Sequence, residues 1–235
     1  MCNLKDNNPS LEEWVAEFRD ILGAELHLAA GPDTLSNSPW AKMVYPKYQG
    51  LFARPVDPKD PGGPLEPAVG RWGIVPFFHK GPAKTWKFPT NNARSEEMAA
   101  KPSFRDALKA RRCIIPASAI YEWTGPQGSK TRHRITAAGG RPLFLAGLWG
   151  SHDWEGERTE SYTMVMMETA PGDDMHVFHN RQPIVLDRDN ARTWLDLGAD
   201  YRAVLKAPPA GTLEADPATP VEGYPPGESK CALLS

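Results

Sequence analysis

Apolar positions recur at helical spacing in one stretch near the start of the chain and fall in short runs almost everywhere else. Leu11, Trp14, Val15, Phe18, Ile21 and Leu22 lie three and four apart, the period that lines up one face of an α-helix. Ser10 with Glu13 forms a capping box, and Gly23 ends the run. The pattern predicts a helix whose stripe faces a core. Shorter helices are expected over Ser95–Ala100, Ser103–Ala110 and Asn190–Leu197, the last followed by Gly198. Val69–Phe78, Cys113–Pro116, Ala119–Trp123, His133–Thr136, Leu143–Trp149, Tyr162–Thr169 and Pro183–Leu186 are aliphatic and aromatic runs bounded by Gly, Pro or Asp, which reads as strands. Asp57–Pro67 reads as a loop and Gly125–Lys130 as a hairpin turn.

There are 24 prolines, which oppose long regular helices. No internal repeat and no linker between two cores is visible. The expected fold is α+β: a single domain with a mostly antiparallel, barrel-like core of short strands and a few peripheral helices. Residues 1–206 are expected to form this domain. Residues 207–235 carry six prolines and read as an extension packed on it or trailing from it.

Length and charge narrow the classes further. A chain of 235 residues buries a substantial core without staples. A net charge of -2 excludes nucleic-acid binding through bulk charge but allows a local basic patch. Cys2, Cys113 and Cys231 are too few and too scattered for a disulfide framework or a zinc site, and a reducing compartment is the simpler reading. No segment approaches the about 18 apolar residues of a membrane span. The start of the chain lacks the basic and apolar regions of a signal peptide. A cytoplasmic monomer is expected, with no membrane contact.

Cys2 is the most informative residue. Initiator methionine is trimmed before small residues, and trimming here would leave an α-amine and a thiol on one residue. An α-amine has a pKa of about 8, so part of it is neutral at physiological pH. A neutral amine attacks an aldehyde to give a Schiff base, and the thiol can then close a five-membered thiazolidine ring. A cysteine at the second position is also commonly an incidental residue on a frayed end. Taken alone, Cys2 leaves both readings open.

Ordered blocks elsewhere add to it. They are Met1-Cys2, Arg71–Pro76 (RWGIVP), Asn92–Glu96 (NARSE), Lys101–Arg105 (KPSFR), Arg111–Ala117 (RRCIIPA), Tyr121–Trp123 (YEW), Leu145–Trp149 (LAGLW) and His179–Pro183 (HNRQP). Together, in this order, they resemble the SOS response-associated peptidase family, whose members crosslink to abasic sites in single-stranded DNA. The resemblance implies a DNA-damage-response protein whose mature Cys2 forms a thiazolidine with the ring-opened abasic sugar. It places an asparagine, a glutamate and a histidine of the site on Asn92, Glu122 and His179. No cofactor and no metal are implied. The one peptide bond whose cleavage this chemistry needs is Met1-Cys2.

The chemistry of these positions can also be argued from the residues. A carbinolamine must lose water on the way to a Schiff base, and a carboxyl in a semi-enclosed pocket can give and take that proton. Glu122 lies in a strand-like AIYEW run, its side chain on the face opposite Tyr121 and Trp123; an aromatic-lined pocket would raise its pKa. The bland alternative is a solvent-facing carboxylate. Histidine near neutral pH suits proton transfer to the sugar ring oxygen, so His179 would assist ring opening or the reverse reaction. His176 and His179 make an HxxH pair, but no third metal ligand follows at a convincing spacing. Asn92 offers a donor and an acceptor to hold Cys2 in line, with Asn91 a confusable neighbour.

For DNA contact, Arg94 is a candidate phosphate fork, against an ion pair with Glu96 or Glu97. Lys101, Arg105, Lys109, Arg111 and Arg112 could line one electropositive margin, although a charge run is more often a solvated helix face. Trp72, carried over from the family's WG-x-x-P block, is the stacking candidate; Phe77, Phe78, Trp86 and Phe88 are as readily core. Cys113 reads as a buried, inert thiol, and Cys231 has no assigned role.

The chain departs from the family at its start, where Met-Cys-Gly-Arg is usual and Met1-Cys2-Asn3-Leu4 stands here. The arginine that meets the DNA backbone is replaced by Leu4, for which Lys5 is a partial substitute. Ser38–Pro55 fills the place of an Asn-x-Ala-Pro-Thr block, and HNRQP replaces the more usual HDRMP. Two rival functions follow from the same residues: a thiol peptidase or amidohydrolase using Cys2 with His179, and a non-catalytic single-stranded DNA-binding module.

Overall fold

The computed structural model describes residues 2–28, 40–126 and 129–216, and the backbone of 219–220. Thirteen strands and three α-helices are assigned within these residues. The strands are β1 (Lys5–Asp6), β2 (Met43–Val44), β3 (Gln49–Pro55), β4 (Leu65–Trp72), β5 (Asn92–Arg94), β6 (Arg112–Ala117), β7 (Ala119–Thr124), β8 (Thr131–Ala137), β9 (Leu143–Trp154), β10 (Glu157–Glu168), β11 (Arg181–Pro183), β12 (Leu213–Ala215) and β13 (Thr219–Pro220). The helices are α1 (Leu11–Glu17), α2 (Pro102–Ala110) and α3 (Arg188–Leu195).

The fold is α+β and mostly antiparallel. Strands β4, β3, β6, β9 and β10 pair in that order, and β10 returns to β4 in parallel, which closes a five-stranded mixed barrel. Closure gives each of these strands a partner on both sides, and the far end of β10 also takes β5 and β11. A second, antiparallel sheet runs β2–β1–β7–β8–β12, with β13 also on β8. The β6–β7 junction joins the two sheets, because Ser118 alone separates their ranges.

Two apolar cores follow from strand alternation. One collects Leu51, Ile114, Leu148 and Val165 from the barrel with Trp14 and Phe18 of the first helical segment, Phe104 of α2 and Trp194 of α3. The other lies between barrel and sheet. It collects Phe52, Ile115, Leu145, Tyr162 and Met164 from the barrel with Val44, Ile120 and Ile135 from the sheet, and it includes Cys2.

The first helix starts as its capping box dictates. Ser10 Oγ accepts from Glu13 N at 3.2 Å, and Ser10 N donates back to Glu13 Oε2 at 2.6 Å. After Glu17 it loosens into a π-helical stretch over Phe18–Leu22 and ends at Gly23, whose φ of 63° closes a left-handed cap. Gly73 also requires glycine, with a φ of 128° directly after β4. There the chain turns, so the strand expected over Val69–Phe78 stops at Trp72. It begins earlier than expected, since Leu65 to Pro67 of the expected loop already pair with Ala53 to Pro55.

Other expectations are corrected as well. Ser95–Ala100 forms consecutive turns, not a helix; β5 runs straight into it and α2 begins only at Pro102, the proline at its first turn. Strand β3 falls within the 38–55 stretch that held no predicted element, of which residues 38 and 39 lie outside the described residues. The β7–β8 hairpin forms, with residues 127 and 128 of its turn outside the described residues. Of the proline-rich extension, Leu213–Ala215 adds to β8 as β12, and Asp174 accepts hydrogen bonds from Gly211 N and Leu213 N. Residues 217–218 and 221–235, Cys231 among them, lie outside the described residues. Among the described residues no helix is long and apolar enough to cross a membrane.

Candidate functional site

The second residue of the chain is fully buried. Cys2 has no exposed surface, and its Sγ donates to Leu4 O at 3.4 Å. Chain ends are normally frayed, so an ordered, sealed Cys2 requires restraints on both sides. Strand β1 supplies one: it sits between β2 and β7, with Lys5 in register with Val44 and Ile120. Two asparagines supply the other. Asn92 Nδ2 donates to Cys2 O at 2.8 Å, and Asn91 Nδ2 donates to Asn3 Oδ1 at 3.1 Å. Both residues are set by the barrel, because β5 lies parallel to β10 with Asn92 opposite Met164. The two asparagines that the sequence leaves confusable therefore hold consecutive residues. Asn92 Oδ1 is buried with no hydrogen-bond partner among the described residues.

Glu122 comes from β7. Its neighbours Tyr121 and Trp123 point to the opposite face, where they pack with Leu4, Ala119 and Met43. Glu122 therefore shares the inward face with Ile120 and is only 2% exposed. Burial raises its pKa from 4.5 to about 7, which is the desolvation expected of a carboxyl taken out of water. The aromatic neighbours are not the cause, since they lie behind the strand. Burial, and then the negative charge of Glu122, push the Cys2 thiol up to about 12. Cys2 lies in the same core as Ile120, on the face of β7 that Glu122 shares.

His179 lies on the β10–β11 connection. Its Nδ1 accepts from Arg181 N at 3.0 Å, and its carbonyl accepts from Thr169 Oγ1 at 3.0 Å. An accepting Nδ1 puts the proton of the neutral ring on Nε2. Burial, with the Arg181 charge contributing, lowers its pKa, so the neutral ring is the resident form near pH 7. The residue before it, Phe178, packs its ring 4.8 Å from the ring of His133, which stands opposite Glu122 in the β7–β8 register. Cys2, Asn92 and Glu122 thus converge, and the His179 loop borders them through Phe178. His176 is exposed and bonds to Thr169 Oγ1 at 3.1 Å. Among the described residues no group of three His, Cys, Asp or Glu side chains could hold a metal ion.

The proposed DNA contacts are redistributed. Trp72 has no exposed surface and donates through Nε1 to Asn91 O at 2.8 Å. It positions the asparagine pair from within and has no free face for a base. Arg112 also turns inward, donating to the carbonyls of Leu108, Trp194 and Asp196; it ties α2 and α3 to the barrel. Lys5 is fully buried, so it cannot substitute for the missing surface arginine. Arg94 and Lys101 are exposed but share Glu97, at 3.2 and 2.7 Å. Arg105 pairs with Asp106 at 3.6 Å, and Arg111 is half-buried against Trp149 O. Lys109 is exposed.

An aromatic surface appears where core was equally expected. Phe77 and Phe88 are 62% and 67% exposed, and they flank Phe78 and the buried Trp86 in a chain of ring contacts of 5.0 to 6.0 Å. Lys80, Lys84 and Lys87 are exposed in the same segment, and residues 76–90 contain no acid. That charge bias was the available signal of an exposed segment, whose aromatics pack on one another.

A family sequence profile described as SOS response associated peptidase matches residues 43–221. The chain belongs to this family. The match takes in Asn92, Glu122 and His179 and begins after Cys2. Abasic site processing protein YoqW of Bacillus subtilis is 34% identical over 151 residues, which cover 62% of this chain and 66% of that protein. Abasic site processing protein HMCES of Xenopus tropicalis is 32% identical over 155 residues, covering 56% of this chain and 45% of that protein. The chain thus spans less than two thirds of the length of these relatives. A crystal structure of a Bordetella bronchiseptica protein superposes with a TM-score of 0.73 at 29% identity, covering 94% of this chain and 100% of the other.

Proposed function

We propose that this family member processes abasic sites in single-stranded DNA by forming a covalent thiazolidine crosslink through mature Cys2, within the DNA damage response. The observation that carries this reading is the complete burial of the second residue beside Glu122, with its carbonyl held by Asn92. An incidental cysteine on a loose end has no reason to be sealed and braced. Its relatives are named abasic site processing proteins, which supports the abasic-site part of this reading.

Removal of Met1 frees the Cys2 amine, which attacks the C1′ aldehyde of the opened sugar. The nearby Asn92 Oδ1 can accept an N–H of that amine and aim its lone pair. The carbinolamine then loses water with a proton from Glu122, whose pKa of about 7 suits both donation and acceptance. The neutral His179 presents Nε2–H as a donor to the sugar oxygen in opening, or in the reverse reaction. Sulfur attack on the imine carbon forms the C–S bond and closes the ring. Bases flanking the lesion stack on Phe77, Phe78 and Phe88, while Lys80, Lys84 and Lys87 follow the phosphates. The partner is single-stranded DNA with abasic sites, met by a cytoplasmic monomer, and peptidase action is confined to the Met1-Cys2 bond.

The experiment mixes mature protein with a uracil-containing single-stranded oligonucleotide after uracil excision and resolves the product on a denaturing gel. A shifted band with wild type and none with Cys2→Ala is expected, and intact mass should show Met1 removed. No band, or an equal band from Cys2→Ala, would overturn the reading. Binding without crosslinking would instead indicate a non-catalytic module, and Cys2-dependent cleavage of a peptide a thiol hydrolase.

A further inference from the structure

Among the described residues, two that are not glycine have a left-handed backbone. Glu155 lies in the tight β9–β10 hairpin turn, where that conformation is ordinary. Lys47, with a φ of 75°, has no such excuse. Glycine occupies this region freely, and a residue with a β-carbon does so at a cost. Lys47 stands in the turn Tyr45–Tyr48, which Tyr48 N closes by donating to Tyr45 O at 3.0 Å. Two hydrogen bonds to Trp72 hold the strained form. Lys47 N donates to Trp72 O at 2.6 Å, and Trp72 N donates to Tyr48 O at 2.9 Å. Strain that the surroundings over-determine in this way gathers at functional segments.

The turn is tied to the site. Lys5 pairs with Val44 in an antiparallel register, so Tyr45 follows at the end of β2 nearer Cys2. Trp72, which holds the turn, also donates to Asn91 O, and Asn91 in turn holds Asn3. One buried side chain therefore links the turn to the residue beside Cys2. Outside, Tyr45 and Tyr48 are 45% and 37% exposed. Their rings lie 5.6 Å apart, inclined by 64°. Residues 40–50 contain Lys42 and Lys47 and no acid. The aromatic, acid-free segment 76–90 is rooted at the same place, since Ile74 N donates to Thr90 O at 3.3 Å.

We propose that the Tyr45–Tyr48 turn is a second contact for the single strand and seats the nucleotide next to the abasic sugar, the tyrosine pair giving its base a stacking face and Lys47 meeting its phosphate. This rests on the single-strand reading above and narrows it: the preferred substrate is an abasic sugar beside an intact base. Exposed rings next to cations without acids are what a single strand needs, because every base has a face to stack and every link a charge to meet. Glycine at position 47 would relax the backbone and forfeit that charge. Lysine keeps the charge at the expense of the backbone, a choice from which a purely structural turn gains nothing.

The test measures binding by fluorescence anisotropy on mature full-length protein. The probe is a single-stranded oligonucleotide with one tetrahydrofuran abasic analogue, which has no aldehyde and cannot crosslink. Tyr45→Ser with Tyr48→Ser should weaken binding about tenfold. A second probe replaces the nucleotides on both sides of the lesion by the same analogue. Wild type should bind it about tenfold less well, and the serine variant should lose little more. Lys47→Gln should lower the salt slope by about 0.7. Lys47→Gly should lower it equally while melting no lower than wild type. Tyr45→Phe with Tyr48→Phe keeps the rings and should bind as wild type does, which guards against a misfolded serine variant. Equal affinity of wild type and the serine variant, an equal loss on both probes, or an unchanged salt slope in Lys47→Gln would overturn the proposal. Those results in a protein that still crosslinks to a true abasic site through Cys2 would sink this contact alone. The expected losses in a wild type that never crosslinks would sink the crosslinking reading alone.

Discussion

Glu122→Gln should make the protein more stable and less active. A free glutamate ionises near 4.5, whereas Glu122 in the fold ionises near 7. Between those values the native state keeps a proton that the unfolded chain has lost. Stability therefore falls as pH rises through this window, and the loss is complete above about pH 7. The shift is worth about 3 kcal/mol at about 1.4 kcal/mol per unit, a large share of the roughly 5–15 kcal/mol that holds a typical domain together. Glutamine keeps the shape and carries no charge at any pH. Urea denaturation at pH 5 should find wild type and Glu122→Gln within about 1 kcal/mol of each other, and at pH 8 the variant should be ahead by about 2–3 kcal/mol. Its crosslinking rate at neutral pH should fall about a hundredfold, the usual scale of a lost acid–base group. A variant no more stable than wild type at pH 8 would refute the claim that Glu122 is a strained, buried acid.

Asn92→Ala removes the 2.8 Å hydrogen bond to Cys2 O, worth about 1 kcal/mol; crosslinking time courses should slow about fivefold or more with little change in melting. Arg112→Met strands the carbonyls of Leu108, Trp194 and Asp196 and should cost about 2–3 kcal/mol in urea denaturation while DNA affinity of the folded protein is unchanged. His179 has a pKa held below 6.5 by burial, so the unfolded chain takes up that proton first and stability is lost as pH falls through about 6.5; His179→Gln should flatten that part of the pH–stability curve. Replacing Lys80, Lys84 and Lys87 together by Gln should reduce the salt slope of single-strand binding by about 2, at about 0.7 per phosphate contact, as read by fluorescence anisotropy.

Local signals in the sequence were reliable where the physics is local. The Ser10–Glu13 box, the Trp14–Phe18–Leu22 stripe and the β6 to β8 runs needed only periodicity and capping, and they stand where expected, while β9 and β10 run on beyond the expected Trp149 and Tyr162 to meet in a hairpin. Strand alternation alone put Glu122 on the face away from Tyr121 and Trp123. What sequence reading missed depends on distant partners. Met43–Val44 and Asn92–Arg94 are too short to signal a strand; they exist because β1 and β10 offer them edges. Trp72 and Arg112 are residue types suited to nucleic acid, and only tertiary burial turns them inward. Phe77 and Phe88 are core types left outside by a basic loop.

The clearest consequence concerns the two residues that follow Asn3. Leu4 joins Met43, Tyr121 and Trp123 on one face of β1, and Lys5 enters the opposite core. Neither reaches solvent, so this start offers no cation to a phosphate at the position where arginine is usual, and it places a cation inside instead. Burying an amine without a carboxylate partner is costly, and leucine or methionine would fill the same space without that cost. Glu122 is a second buried ionisable group, on the adjacent strand. Two ionisable groups are thus kept buried against the stability of the fold, Lys5 on β1 and Glu122 on β7. A purely structural core would have no use for either group, and the pairing is what a site gains from residues whose charge is free to change at neutral pH.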